Sequence, residues 1–293
     1  MSPRARLAWL LAVPVVLAYA YCALRLLAAQ LTREMALVGS AFVPSDLFVP
    51  WLGARALLAG RSPYTVEFAN QLHQLVYGHV VTPSADFQNV ATFQYPPFVL
   101  AYLFPLMPLP FELVRWLAVA LLALCLVLSS HLWLRLVSPS STRATQAGVG
   151  LASVLFFPSL QTLVLQQLSG LVVLLLVAGA YHAARRRVVL AGILLGLAML
   201  KPQLAALPVL SVVVWSVLRP DRRRLALSCG LTVTALLALS YLVLGDWPRQ
   251  FLVALDRYRA YNTVYWVPEK LLGHTPAIAF SAAVLAILAW RWW

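Results

Sequence analysis

Apolar runs recur in this chain at about 7–29, 97–109, 111–134, 148–168, 170–184, 188–200, 202–218, 225–244 and 276–290, and arginines close many of them. Several approach the roughly 20 apolar residues that a helix needs to cross the hydrocarbon core of a bilayer. Hydrophobic residues make up 62% of the 293 positions and charged ones 11%, which excludes an ordinary soluble domain. The first run, Leu7 to Ala29, follows Arg4 and Arg6, is long for a signal-peptide core and has no clear small-residue cleavage site. It reads as a retained anchor. The net charge of +13 gathers on no single face or tail. Basic residues that punctuate apolar runs follow the positive-inside pattern, so no nucleic-acid partner is expected.

Connections between the runs differ in charge. Arg135 and Arg143 flank one, Arg185–Arg187 fill another, and Arg219 and Arg222–Arg224 fill a third. These connections and both termini are assigned to the cytoplasm. The stretch 30–96, the "QQLSG" turn, the "KPQ" break and the stretch 245–275 alternate with them and face outward. That parity requires one run not to cross. "YPPFVLAYLFPLMPLP" is the short one, and its prolines remove backbone donors, so 97–109 is read as a re-entrant or interfacial helix packed on protein. The expected fold is an all-α, polytopic membrane protein of about eight spans in one domain over 1–293. Its two large outer loops are 30–96 and 245–275, and the first carries amphipathic and re-entrant helices.

Of the nine acids, eight are taken singly. Asp221 in "RPDRRR" reads as an ion-pair partner, Glu112 as a helix-start carboxylate favoured by the dipole, and Asp246 in "GDWP" as turn chemistry. Glu34 stands beside Arg33. Glu67 and Asp86 fall in loop sequence, and Asp256 is flanked by bases. Asp46 differs. It opens "SDLFVPWLGARALLAGRSPY", where Leu47, Trp51, Ala54 and Leu58 fall at helical spacing and Gly60 reads as a stop. Such a helix would lie flat on the membrane, holding Asp46 at headgroup depth. Asp46 then either caps that helix or does chemistry there.

Other polar residues reach the same level. Lys201 interrupts "LAMLKPQLA", as a snorkelling side chain or as part of a functional pathway. Gln166 and Gln167 either bond a sugar hydroxyl or satisfy loose backbone ends. Tyr95, before Pro96 and Pro97, also suits an interfacial aromatic. Arg257 and Arg259, with Tyr258 and Tyr261, suit a phosphate or a plain headgroup anchor. His274 in "LLGHTPA" lies on the outer side, but His73, His79, His131, His182 and His274 show no metal-ligand spacing. Cys22, Cys125 and Cys229 fall inside apolar runs and read as small buried hydrophobes. No metal and no cofactor is expected.

"SDLFVPWLGARALLAGRSPY", "FQYPPFVLAYLFPLMPLP" and "LQQLSGLVVLLLVAGAYHAARRRVVLAGILLGLAMLKPQ", in that order, resemble the polyprenol-phosphate-mannose-dependent mannosyltransferases. These are GT-C membrane glycosyltransferases of the phosphatidylinositol-mannoside type. The matching elements are an early outer-loop acid, "GxxPY", "YPP", a "GQxN"-like turn and a Lys-Pro break. Here "QQLSG" replaces "GQxN", so Gln167 matches the Gln and Ser169 stands for the Asn. The chain is also shorter than the family leads one to expect, as a compact member or one lacking late spans. The resemblance implies a polyprenyl-phosphate sugar donor and a glycolipid or lipid-linked acceptor at the outer face of a plasma membrane. It makes Asp46 the general base of an inverting transfer. Lys201, Arg257 and Arg259 become donor-phosphate candidates, and Tyr64, Tyr95, Gln167 and His274 substrate-binding candidates. The competing reading is a non-catalytic lipid transporter or scaffold, though Lys201–Pro202 is one broken helix with no repeat in a second half.

Overall fold

The computed structural model describes residues 45–81, 91–261 and 273–292, with positions 17–19, 21, 24, 25 and 28 of the first apolar run. Glu34, Asp86 and Cys22, and most of the first run, lie outside the described residues. Within them the regular structure is helical, with no strand. In chain order the helices are α1 (Phe48–Leu58), α2 (Val66–Tyr77), α3 (Val99–Leu103), α4 (Phe111–Val137), α5 (Arg143–Leu155) and α6 (Phe157–Val164). Then come α7 (Ser169–Ala184), α8 (Val188–Ala198), α9 (Pro202–Val217), α10 (Arg223–Val243), α11 (Trp247–Tyr261) and α12 (His274–Trp292).

Two helical stretches are long and apolar enough to cross a membrane, α4 with 27 residues and Pro220–Val243, which includes α10, with 24. A third is α5 with α6, taken as one span bent by 61°. The bend falls where Pro158 enters the first turn of α6, and a proline there cannot continue the preceding helix. Tyr19 of the first run lies at this bend: the Phe157 N–H donates to its Oη at 2.8 Å and its ring stacks on Phe156. The apolar helices α7, α8 and α9 hold 16, 11 and 16 residues, fewer than a full crossing takes. Two or three full-length spans, rather than eight, are therefore what the described residues display.

The chain passes back and forth between two ends. From Ser169, α7 runs to Arg185–Arg187, and α8 returns to Lys201. From Lys201, α9 runs to Arg219–Arg224, and α10 returns toward α11. The Lys201 Nζ donates to Ser169 Oγ at 2.9 Å at one end, and Arg222 Nη1 donates to the Ala183 carbonyl at 2.6 Å at the other. Both arginine clusters thus stand at the end away from Lys201. Asp221 there pairs with Arg222 at 3.2 Å, as its sequence context implied.

α1 departs from the surface helix expected of its stripe. Leu47, Phe48, Trp51, Ala54 and Leu57 are buried, while Leu58 is 54% exposed. Phe48 and Trp51 pack on Phe111 at the head of α4, with ring centroids 4.9 and 5.2 Å apart. The physical reason is that Phe48, Pro50 and Leu52 add apolar surface outside the stripe, and a helix apolar nearly all round is buried in protein. Phe93 lies so close over Gly53 that a Cβ there would overlap its ring. The stop at Gly60 does occur, at φ +69, where Arg61 N–H reaches the Ala56 carbonyl at 2.8 Å. α3 and the turn Phe104–Leu106 that follows are too short to cross, and Val99, Leu103 and Met107 are buried against the protein. α2 forms where the sequence read as loop: Thr65 Oγ1 accepts from Phe68 N–H at 3.2 Å, and Gly78, at φ +76, ends it.

Candidate active site

The stretch Ser45–Leu47 enters α1 without a side-chain cap. The N-cap is Leu47, and no side chain bonds the first-turn amides, so Asp46 is not the cap of this helix. Its amide N–H donates instead to the Leu165 carbonyl at 2.8 Å, and its Oδ2 accepts from Gln167 Nε2 at 2.5 Å. Both partners belong to the turn after α6. That turn is a Schellman motif: Gln166 N–H bonds the Leu163 carbonyl at 3.3 Å and Gln167 N–H the Thr162 carbonyl at 2.8 Å. Gln166 takes the left-handed position at φ 49, where glycine is usual. Its buried side chain donates to the carbonyls of Leu163 and Val164. Gln166 thus takes the backbone-end role read for the pair, while Gln167 bonds the Asp46 carboxylate, a partner that reading did not include.

Lys201 reaches the same place from the break between α8 and α9. Pro202 forces its predecessor out of helical geometry, and Lys201 is extended at φ −127, ψ 82. Its ammonium donates to Ser169 Oγ at the start of α7, and the residue is half-buried. Burial lowers its pKa, and the Asp46 charge pulls it partly back. Solvent reaches Asp46, yet protein surrounds most of its carboxylate. That desolvation raises its pKa, against the opposing pull of the Gln167 hydrogen bond and the Lys201 charge.

Aromatic residues from the stretch before α3 and from α11 wall this cluster. Tyr95 is buried, and its phenol is pushed up by burial first, then by the charge of Asp46. Its carbonyl accepts from Tyr64 Oη at 2.6 Å, and burial raises the Tyr64 phenol as well. α11 closes on the Ser62–Tyr64 turn. Ser62 Oγ donates to Gln250 Oε1 at 2.5 Å, Arg257 Nη1 donates to the Tyr64 carbonyl at 3.2 Å, and Phe251 meets the Tyr64 ring edge-on. Tyr258, hydrogen-bonded with Gln94, also feels the Asp46 charge.

Asp46, Gln167 and Lys201 are thus brought together, with Tyr95 and Tyr64 beside them and Arg257 held on the Tyr64 backbone. Arg259 is not: its side chain is 78% exposed and pairs with Asp256 at 3.3 Å. His274 stands exposed at the first position of α12 and enters none of the contacts joining Asp46, Gln167, Ser169 and Lys201. Two participants were not read as such from the sequence. Gln94 carried a signal, a polar residue directly before "YPP". The Leu165 carbonyl carried none, because a backbone acceptor has no side-chain chemistry to read. Among the described residues no three of His, Cys, Asp and Glu stand close enough to hold a metal ion together.

Residues 93–293 match the model of glycosyltransferase family 87. The chain belongs to glycosyltransferase family 87. No curated protein and no solved structure matches it. Within this family 87 chain the matched stretch holds Tyr95, Gln167, Ser169, Lys201 and Arg257, and it begins after Asp46 and Tyr64. Membership makes the reaction a glycosyl transfer, and the long apolar helices make the enzyme a membrane protein.

Proposed function

We propose that this glycosyltransferase moves a hexose, mannose in the simplest case, from a polyprenyl-phosphate donor to a glycolipid or lipid-linked acceptor at the outer face of a plasma membrane. The observation that carries the reading is the carboxylate of Asp46, free of any capping role, desolvated, aimed by Gln167 and facing the charge of Lys201. In the proposed step Asp46 takes the proton of an acceptor hydroxyl as its oxygen bonds to the anomeric carbon. The bond from that carbon to the phosphate oxygen breaks, its electron pair leaves with the polyprenyl phosphate, and configuration inverts. Desolvation makes Asp46 a stronger base than a free aspartate, which suits proton abstraction near neutral pH. Lys201 balances the charge developing on the departing phosphate, with Arg257, held on the Tyr64 carbonyl, as a further basic group. Tyr64, Tyr95 and Gln167 shape the seat of the sugar. The two arginine clusters at the far end of α7–α10 support an outward-facing site.

The test uses full-length protein in nanodiscs with radiolabelled polyprenyl-phosphate mannose and a membrane glycolipid extract. Wild type is expected to label a glycolipid, and Asp46→Asn to lose at least about 10²-fold of that rate. Transfer unchanged in the variant would move the base elsewhere. Label accepted only from a nucleotide sugar would overturn the donor.

A further inference from the structure

We infer that a recess at the far end of α1 binds the phosphate of an anionic amphiphile, at a site separate from the Asp46 cluster. The recess has a volume of about 440 Å³ and is lined by Trp51, Leu52, Arg55, Arg61, Phe68 and Gln71, with alanines between them. Its lining on α1 begins at Trp51, and Arg55 lies nine residues beyond Asp46, about 13 Å at the helical rise. Two guanidiniums and a carboxamide supply its donors, and neither acid of 45–81, Asp46 or Glu67, lines it. Arg55 is exposed and rests on the Trp51 ring, 4.8 Å from its centroid, a contact that fixes the guanidinium without neutralising it. Arg61 is also exposed, follows the left-handed turn at Gly60 and lines the same recess as Arg55. Among the described residues no carboxylate pairs with either arginine.

The rest of the lining is apolar. Trp51 and Phe68 are buried aromatics, and the Trp51 indole N–H has no hydrogen-bond partner among the described residues. A guanidinium matches the oxygens of a phosphate in fork geometry, and this lining offers two. A wall of Trp51, Leu52 and Phe68 beside them matches the glycerol and upper acyl carbons that adjoin a lipid phosphate. A free anion would use only the first half of that lining, so a lipid headgroup fits it better. The assignment concerns binding and does not depend on the donor proposed above.

Full-length protein in a neutral maltoside detergent would be titrated with short-chain phosphatidylglycerol, phosphatidylcholine of equal chain length, and inorganic phosphate, following the thermal midpoint. Phosphatidylglycerol is expected to raise the midpoint saturably and phosphatidylcholine not to. Inorganic phosphate matching phosphatidylglycerol would assign the site to free anions and overturn the lipid source. The double change Arg55→Gln with Arg61→Gln is expected to raise the half-saturating phosphatidylglycerol concentration about tenfold or more, the loss of charge-assisted hydrogen bonds. Gln71→Glu, at an exposed position that leaves the Trp51 contact intact, is expected to weaken binding in the same direction. Equal shifts with both lipids, or an unchanged titration in these variants, would overturn the site.

Discussion

At the residue scale, the titration of Asp46 is where geometry becomes measurable. Burial raises its pKa, while the Gln167 hydrogen bond and the Lys201 charge hold it down. A base must be ionised, so the acid limb of the pH–rate profile follows that pKa. Removing either opposing group lets desolvation act alone. Gln167→Leu and Lys201→Gln are both expected to move the acid limb to higher pH, read from initial rates across pH 4 to 8. A limb that stays in place in both would mean that neither acts on the base. Stability moves the other way. A carboxyl whose folded pKa lies above its unfolded value contributes stability below the unfolded pKa, and that contribution is lost as pH rises through the folded one. Ionised Asp46 therefore weakens the fold at neutral pH. Asp46→Asn keeps an oxygen acceptor for Gln167 and is expected to melt no lower than wild type in detergent at pH 7, although inactive. The sequence marked Asp46, Gln167 and Lys201 as unusual polar residues among apolar ones. It did not show that the amide of one reaches the carboxylate of another across 121 positions, because that contact depends on a Schellman turn with glutamine where glycine is usual.

At the element scale, the tightest packing in the bundle is between α8 and α10, and glycines make it. A Cβ on Gly192 would collide with Ser228 Oγ and the Leu225 carbonyl and lie 2.9 Å from the Cys229 nitrogen. One on Gly196 would lie 2.7 Å from Thr232 Cβ. Gly192 and Gly196 form a small-xxx-small pair that lets two backbones meet without side chains between them. Gly192→Ala must push the helices apart against backbone atoms and is expected to destabilise by about 1–3 kcal/mol, the usual range for overpacking. Gly230→Ala on α10 meets nothing within 4 Å and serves as the neutral control. Equal melting of the two variants would refute the close contact. "AGILLG" was visible in the sequence, but an apolar run alone does not say which of its faces meets a neighbour. The same limit explains α1. Its stripe of Leu47, Trp51 and Ala54 was legible, whereas its burial came from Phe111 and Phe93, partners 40 or more residues away along the chain.

At the scale of the whole molecule, the charge pattern was the most legible feature, because end-to-end polarity needs no side-chain detail. Arg185–Arg187 and Arg219–Arg224 stand together at one end of α7–α10, and the Asp46–Gln167–Lys201 cluster stands at the other. Short helices bring a consequence. From Arg187 to Lys201 is 14 residues, about 21 Å of helix, whereas the hydrocarbon core is about 30 Å thick. In the proposed orientation, with the arginines at the inner boundary, Lys201 and its neighbours would sit below the outer headgroups. Such a depth would add to the desolvation that protein burial already gives the Asp46 carboxylate. It also sets a pattern for a membrane-impermeant maleimide applied to intact cells, using single cysteines in a background with the native three replaced. Glu67→Cys, exposed on α2, is expected to label fully from outside, and Arg186→Cys only after permeabilisation. Ser169→Cys, in the half-buried floor, is expected to react slowly from outside. Labelling of Arg186→Cys in intact cells would invert the molecule and place the transfer on the inner face. Rapid labelling of Ser169→Cys would raise the cluster to the surface and remove burial as the reason for the raised pKa of Asp46.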